Sequence, residues 1–147
     1  MPSRIYLAVT AMKHEETYRV YYEDVDLAGI VYYANYLRFI ERARTDMLRV
    51  RGINQSELRN QHGIVFVVRR VSADYISPLK FDDLATVKTE ITRLAPVRIE
   101  INQILLVNQK RLFEAKIALA CTDLNGNLIK IPDEIFKRLK PISNQNE

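Results

Sequence analysis

The sequence contains one long amphipathic helix pattern, flanked by segments in which apolar and polar residues alternate with period two. This combination constrains the fold more than any other feature. Over residues 35 to about 51, apolar side chains recur at three- and four-residue steps, with arginines between them. Asn35 is the predicted N-cap, and Gly52 is the expected stop after the last turn. The apolar face of this helix needs a cover, and the strand-like segments around it are the candidates.

Strand patterns occupy most of the remaining chain. Alternation with strand-favouring residues predicts a first strand over residues 17–23, and a short helical turn is predicted at 56–61. Four more segments rich in β-branched residues, separated by short turns, predict an antiparallel meander over residues 64–76, 85–94, 97–107 and 112–124. A terminal helix is predicted at 132–140. The pattern indicates one α+β domain over residues 1–147, with one sheet face covered by the long helix.

The residue inventory excludes several kinds of site. The chain has two histidines and one cysteine, so it lacks the cluster that zinc requires, and no metal site is expected. No serine lies in a Gly-x-Ser-x-Gly turn, and the four glycines are too scattered for a phosphate-binding loop. Carboxylates, tyrosines and backbone amides are left as the chemical groups of the chain.

Charge and cysteine content bound the location and the partners. A net charge of +4 suits a phosphate-bearing partner, whereas the single Cys121, in an apolar alternating run, fits a reducing cytoplasm. Residues 1–12 make a poor secretory signal, and no segment has the roughly 20 apolar residues that span a bilayer. We therefore expect a cytoplasmic protein without a transmembrane segment, and peripheral membrane association stays open.

The segment that links the first strand to the helix, residues 22–36, brings together carboxylates, a glycine and several tyrosines. Gly29 permits a tight bend, and the free amides of residues 33–36 can face a ligand oxygen at the positive end of the helix dipole. A carboxylate shortly before them could attack a polarised acyl carbon or activate a water molecule. Asp26 is the preferred candidate for this carboxylate.

This segment resembles the hot-dog-fold thioesterases of the 4-hydroxybenzoyl-CoA thioesterase-like family, in particular their Tol-Pal-associated acyl-CoA thioesterase branch. The family signature, a basic residue and a strand followed by Asp-x-x-Gly-(Ile/Val)-Val-aromatic-x-x-(Asn/Tyr/His), is matched in order by Arg19, Val20, Asp26, Gly29, Ile30, Val31, Tyr32 and Asn35. The order of strand, long helix and meander is also the family's, over a core of about residues 17–139. The resemblance implies a sheet wrapped around one central helix.

The resemblance also implies roles for individual residues. Asp26 would be the nucleophile or general base of acyl-CoA hydrolysis, and the amide of Tyr33 would polarise the thioester carbonyl. The implied substrate-binding residues are Gly29, Val31, Tyr32, Asn35 and Glu41. Val25 stands where the signature usually has Thr or Cys, and Tyr33 stands where many members of the branch carry His.

No bound cofactor is implied, because coenzyme A is part of the substrate, and acyl carrier protein is an alternative carrier. The family's assembly implies a homodimer or homotetramer formed by joining sheets edge to edge. The family signature does not identify which basic residues bind the phosphates of coenzyme A. The open candidates are Arg69, Arg70, Arg93, Arg98, Lys110 and Arg111.

Several alternatives compete with this interpretation. A catalytically silent protein that binds acyl carrier protein or a membrane enzyme through the Arg-rich helix is the first, and a single-stranded RNA binder is the second, although no nucleic acid is expected. Asp24 is expected to be exposed or a loop hydrogen-bond acceptor, and Glu41 alternatively belongs to an exposed charge network. A Cys121 nucleophile with His62 as its base is the weakest alternative.

Overall fold

The computed structural model describes residues 12–141 of the chain. In chain order the elements are β1 (Lys13–Arg19), 3-10 turns at Tyr22–Asp24 and Tyr33–Asn35, α1 (Tyr36–Val50), α2 (Gln55–His62), β2 (Ile64–Tyr75), β3 (Leu84–Ala95), β4 (Arg98–Val107), β5 (Lys110–Asp123) and α3 (Asp133–Leu139). The spacing of apolar residues therefore predicted the right type of element for both helices and strands, and most observed boundaries lie within two residues of the expected ones.

The five strands form one antiparallel sheet in the order β1-β3-β4-β5-β2. Helix α1 lies on one face of this sheet and buries one side, which consists of Tyr36, Phe39, Ile40, Ala43, Met47 and Leu48. Alternate residues of β5 face the same core, including Phe113, Ala115, Ile117, Leu119 and Cys121. A sheet around a single long helix is the hot-dog architecture that the family resemblance implies.

A buried polar side chain ties α1 to the middle of the sheet. The Gln103 side chain of β4 donates to the Ile40 carbonyl at 2.9 Å and to the Thr89 hydroxyl at 2.9 Å. Its oxygen accepts a hydrogen bond from Arg44 at 3.0 Å. Burial lowers the pKa of the Arg44 guanidinium. The network satisfies polar groups inside the core and fixes how the helix sits on the sheet.

The first strand differs from its prediction, which placed it at residues 17–23. The observed strand ends at Arg19, where its pairing with Leu84 of β3 stops. Beyond it, the Asp24 carboxylate accepts a hydrogen bond from the Tyr21 amide at 2.9 Å and turns the chain away from the sheet. The apolar alternation continues through Tyr22, but that residue begins a 3-10 turn and its side chain is 80% exposed.

Asn35 occupies the predicted N-cap position of α1, but the predicted capping role is wrong. Its backbone is helical, at φ −75° and ψ −16°, and its side chain makes no capping hydrogen bond. The preceding 3-10 turn has already begun to wind the chain, so the orphan amides lie before Asn35 rather than after it. The side chain is free for another contact.

The expectation that residues 1–12 do not form a secretory signal concerns a segment of which all but Met12 lies outside the described residues. Within residues 12–141, none of the helices combines the length and the apolar character that a bilayer crossing requires.

Candidate active site

A tight hairpin carries Asp26 and Gly29. Val25 and Val31 pair as an antiparallel bridge, and inside this bridge the Asp26 amide donates to the Ile30 carbonyl at 2.9 Å. The Gly29 amide closes the turn on the Asp26 carbonyl at 3.0 Å. Gly29 has φ +78°, in the left-handed region that glycine adopts without strain, so this residue suits the bend expected from the sequence.

The hairpin is held by the connection between β2 and β3. The Val31 amide donates to the Leu79 carbonyl at 2.7 Å, and the Phe81 amide donates to the Gly29 carbonyl at 3.1 Å. Leu79 is fully buried, which anchors this connection in the core. Residues about fifty positions later in the chain therefore fix the backbone on both sides of the turn.

The carboxylate of Asp26 is exposed at the tip of this hairpin. One oxygen, Oδ1, accepts a hydrogen bond from the Ala28 amide at 2.9 Å, which orients the side chain. Within residues 12–141, no hydrogen bond or ion pair uses the other oxygen. Asp26 thus presents one oriented carboxylate oxygen to a ligand or a water molecule.

The backbone before α1 presents an amide at the positive end of a 15-residue helix. In the turn Tyr33–Asn35, the Asn35 amide donates to the Tyr32 carbonyl at 2.8 Å. That carbonyl shares a peptide plane with the Tyr33 N–H, so the hydrogen bond also orients this N–H. No hydrogen bond among the described residues uses the Tyr33 N–H, which leaves it available to a ligand oxygen.

Asp24 joins the hairpin to the helix start. Its carbonyl accepts hydrogen bonds from the Asn35 side chain at 3.0 Å and from the Tyr32 amide at 3.3 Å. Asp24 is 4% exposed and its carboxylate accepts from the Tyr21 amide, so of the two expected alternatives the structure shows the loop acceptor and not the exposed side chain. Asp24 organises the segment, and Asp26 is the carboxylate that faces outward.

An aromatic cluster lies behind the helix start. Tyr36 and Phe113 are buried with ring centroids 5.0 Å apart, and Tyr75 meets each of them edge-on, also at 5.0 Å. The Tyr75 hydroxyl donates to the Tyr33 carbonyl at 3.0 Å, and the Tyr36 hydroxyl accepts from the Leu79 amide at 2.9 Å. Sequence reasoning did not find Tyr75, because no spacing relates the end of β2 to the segment around Tyr33.

The other predicted binding residues are dispersed. Val31 is 3% exposed and belongs to the core, whereas Tyr32 is half-exposed with its ring 4.8 Å from that of Tyr33. Glu41 lies on the outer side of α1, where it accepts a hydrogen bond from the Thr45 hydroxyl at 2.6 Å. The structure brings Asp26, Gly29, Tyr32, Tyr33 and Asn35 into one connected segment, and Glu41 stands apart from it.

Other candidate groups have different surroundings. Burial raises the pKa of the Cys121 thiol to about 11, and His62 is exposed at the end of α2, which disfavours a thiolate pair. Arg93 and Arg111 pair with Glu100 and Glu114, respectively. The other basic candidates are exposed, namely Arg69, Arg70, Arg98 and Lys110. Across residues 12–141, no three His, Cys, Asp or Glu side chains group as a metal site would need.

Comparison with known families adds a separate observation. The model of the thioesterase-like superfamily matches residues 20–139, which include the hairpin, α1 and the whole meander. The chain belongs to this superfamily. The match confirms the predicted family and fold. The predicted enzyme class of thioester hydrolase is confirmed by the named relatives that follow.

Individual thioesterase-like relatives agree with the family match. The chain is 42% identical over 127 residues to the acyl-CoA thioesterase YbgC of Haemophilus influenzae, covering 83% of this chain and 93% of that protein. It is 39% identical over 106 residues to the acyl-CoA thioester hydrolase YbgC of Escherichia coli O6:H1, covering 71% and 78%. The probable thioesterase from Bartonella henselae superposes with a TM-score of 0.78 at 35% identity, covering 82% and 100%.

Proposed function

We propose that this protein hydrolyses acyl-coenzyme A thioesters to the free acid and coenzyme A, with Asp26 as the catalytic carboxylate and the Tyr33 amide as the oxyanion donor. The observation that carries the proposal is the joined pair of hairpin and helix start, in which an oriented carboxylate and an available amide belong to one hydrogen-bonded unit. The named acyl-CoA thioesterases among the relatives support the same substrate class.

In the proposed reaction the thioester carbonyl oxygen accepts a hydrogen bond from the Tyr33 N–H. An attacking oxygen then forms a bond to the acyl carbon, and the negative charge that develops on the carbonyl oxygen is stabilised by this N–H and by the dipole of α1. The carbon–sulfur bond breaks as the carbonyl re-forms, and the thiolate leaves and takes up a proton. The reaction uses groups of this chain and water.

Two routes differ in the origin of the attacking oxygen. As a general base, Asp26 takes a proton from water, and the water oxygen attacks the acyl carbon. As a nucleophile, its carboxylate attacks directly and forms an acyl anhydride that water hydrolyses. A single turnover in ¹⁸O-labelled water tests the nucleophilic route. Label in the peptide that contains Asp26 assigns the nucleophile, because it requires water to attack the Asp26 carbon of the anhydride. Label only in the released acid arises from the general-base route and also from an anhydride that water attacks at the acyl carbon.

We also infer a homodimer that forms along β2, with further pairing to a tetramer as the alternative. This strand is an edge of the sheet and exposes apolar side chains at Val68, Val71 and Tyr75, and the exposed Ile76 follows directly after it. The opposite edge, β1, exposes Lys13, Glu15 and Arg19, which is typical of an edge that avoids pairing. The acyl chain would lie between α1 and the partner, and the reaction would take place in the cytoplasm.

The surface offers less support to an RNA-binding function. The outer face of the sheet forms a shallow cavity of about 690 Å³, and among the residues that line it are no Phe, Tyr or Trp, with His14 the one imidazole. Four basic and four acidic residues share it, namely Lys13, Lys88, Arg111 and Lys116 with Glu15, Asp74, Glu90 and Glu114. Charge balance and the lack of Phe, Tyr or Trp for base stacking disfavour a single strand of nucleic acid on this face. Acyl carrier protein stays the alternative carrier of the acyl group.

The deciding experiment measures thiol release from short-, medium- and long-chain acyl-CoA esters by the wild type and by Asp26→Asn. Asparagine keeps an acceptor for the Ala28 amide and removes the charge, so the hairpin should persist. We expect a loss of at least roughly a hundredfold in kcat/KM. A parallel assay with acyl carrier protein thioesters identifies the preferred carrier.

The matched control is Glu23→Gln, which removes an exposed carboxylate from the same segment. It should retain wild-type activity. Equal losses of activity in both variants would show that the loss arises from the charge of the segment and not from a catalytic role of Asp26. An inactive wild type or an unaffected Asp26→Asn would refute the mechanism and favour the catalytically silent binding protein.

A further inference from the structure

The Tyr33 residue that supplies the proposed oxyanion donor lies between two peptide planes. The plane that contains its N–H is oriented through the Tyr32 carbonyl, which accepts the Asn35 amide at 2.8 Å. The plane on its other side contains the Tyr33 carbonyl, which accepts the Tyr75 hydroxyl at 3.0 Å. Fixing both planes fixes the φ and ψ angles of Tyr33.

Tyr75 is suited to this task because its own position is restricted. It is the last residue of β2, where it pairs with Phe113 of β5. Its ring packs edge-on against the buried rings of Tyr36 and Phe113, each at 5.0 Å, and against Tyr33 at 6.4 Å. Partial burial raises the pKa of its hydroxyl, so this group stays protonated and donates at neutral pH.

We propose that Tyr75 is a positioning residue for the thioesterase reaction: its hydroxyl holds the Tyr33 carbonyl and thereby keeps the Tyr33 N–H aimed at the developing oxyanion. The inference rests on the proposed function and extends it to a residue on a different strand. An oxyanion donor is effective only when it is oriented before the charge develops, so a loosened peptide should slow the chemical step more than it weakens substrate binding.

The test compares Tyr75→Phe with Tyr22→Phe. Phenylalanine at position 75 keeps the ring contacts and removes only the hydroxyl, so the variant should fold. Tyr22 stacks on Phe81 at 4.6 Å, and its hydroxyl donates no hydrogen bond within residues 12–141, which makes it the matched control. We expect kcat to fall about tenfold in Tyr75→Phe with KM changed less than about twofold, and no change in Tyr22→Phe.

A binding measurement separates positioning from a general structural role. The probes are two unreactive analogues of the best substrate. One is a difluoroketone in which CF₂ replaces the sulfur and whose tetrahedral hydrate mimics the oxyanion intermediate, and the other is a thioether in which the carbonyl is absent. Tyr75→Phe should weaken the difluoroketone several-fold and leave the Kd of the thioether unchanged. Equal weakening of both analogues, or an unchanged kcat, would overturn the inference.

Two further readouts distinguish a positioning role of Tyr75 from a role in assembly and from failure of the proposed function. Because Tyr75 lies on the β2 edge, sedimentation should give the same oligomeric state for wild type and variant, and a loss of kcat that disappears at high protein concentration would instead assign Tyr75 to assembly. If the wild type is active and Asp26→Asn is not, an active Tyr75→Phe refutes only the role of Tyr75. If the wild type is itself inactive, the proposed function fails first.

Discussion

The side-chain amide of Asn35 donates a hydrogen bond to the main-chain carbonyl of Asp24, with the two atoms 3.0 Å apart. This contact joins the first residue before α1 to the segment that leads into the Asp26 hairpin. Asn35 also donates through its backbone to the Tyr32 carbonyl at 2.8 Å. One residue therefore sets the hairpin and the helix start relative to each other.

Removal of this contact should reduce activity more than stability. Asn35→Ala leaves the Asp24 carbonyl with one donor, and we expect a loss of about 1 kcal/mol in the free energy of unfolding, measured in urea. Asn54→Ala is the control, because Asn54 caps α2 by accepting from the Glu57 amide at 3.1 Å and a cap is also worth about 1 kcal/mol. Only Asn35→Ala should lower kcat, and equal activity of the two variants would contradict the link.

Gly29→Ala should be strained without being crowded. A methyl group at this position meets nothing within 4 Å, so the cost arises from φ +78° and amounts to about 1 kcal/mol. Gly63, which ends α2 at φ +64° with equally open surroundings, provides a matched substitution. Thermal unfolding should show similar losses for both alanine variants, and thiol release should decrease only for Gly29→Ala. Reduced activity in Gly63→Ala would point to global destabilisation.

Gln103→Leu should be the most destabilising of these substitutions. Leucine fills a similar volume but leaves the Arg44 guanidinium without its acceptor and the Ile40 carbonyl without its side-chain donor. An unpaired buried polar group costs about 1–3 kcal/mol, which chemical denaturation measures. Gln61→Leu, on the exposed side of α2, should change stability by less than about 0.5 kcal/mol. A Gln103→Leu protein as stable as the wild type would show that the network is dispensable.

The buried thiol predicts an alkaline loss of stability. Burial raises the pKa of Cys121 from 9.0 to about 11 in the folded chain, so between these values the unfolded thiol ionises while the folded thiol keeps its proton. The contribution of the buried, protonated thiol to the free energy of unfolding is complete below pH 9 and is lost as the pH rises toward 11. Parallel urea titrations of wild type and Cys121→Ala should give curves that converge over this range. Parallel curves would contradict the assignment.

The local pattern predicted most of the fold. Helix α1 runs over Tyr36–Val50 against the predicted residues 35 to about 51, because its three- and four-residue apolar spacing is a property of the chain itself. The meander was predicted for the same reason, since alternation and turn residues are local signals. The first strand was predicted four residues too late in the chain. Its end is set by its pairing with β3, and the sequence alone does not show which residues of the two strands pair.

The features of the candidate site likewise fall into two groups, those that the local sequence determines and those that depend on tertiary contacts. The sequence alone determined the amphipathic helix, the glycine that the tight bend requires and the carboxylate beside it, since spacing along the chain carries these features. Only the tertiary structure decided that Leu79 and Phe81 clamp the hairpin, that Asp24 is buried and that Tyr75 holds the Tyr33 carbonyl. These contacts join residues distant in sequence, and they exist only after the sheet closes on the helix and its register sets which residues meet.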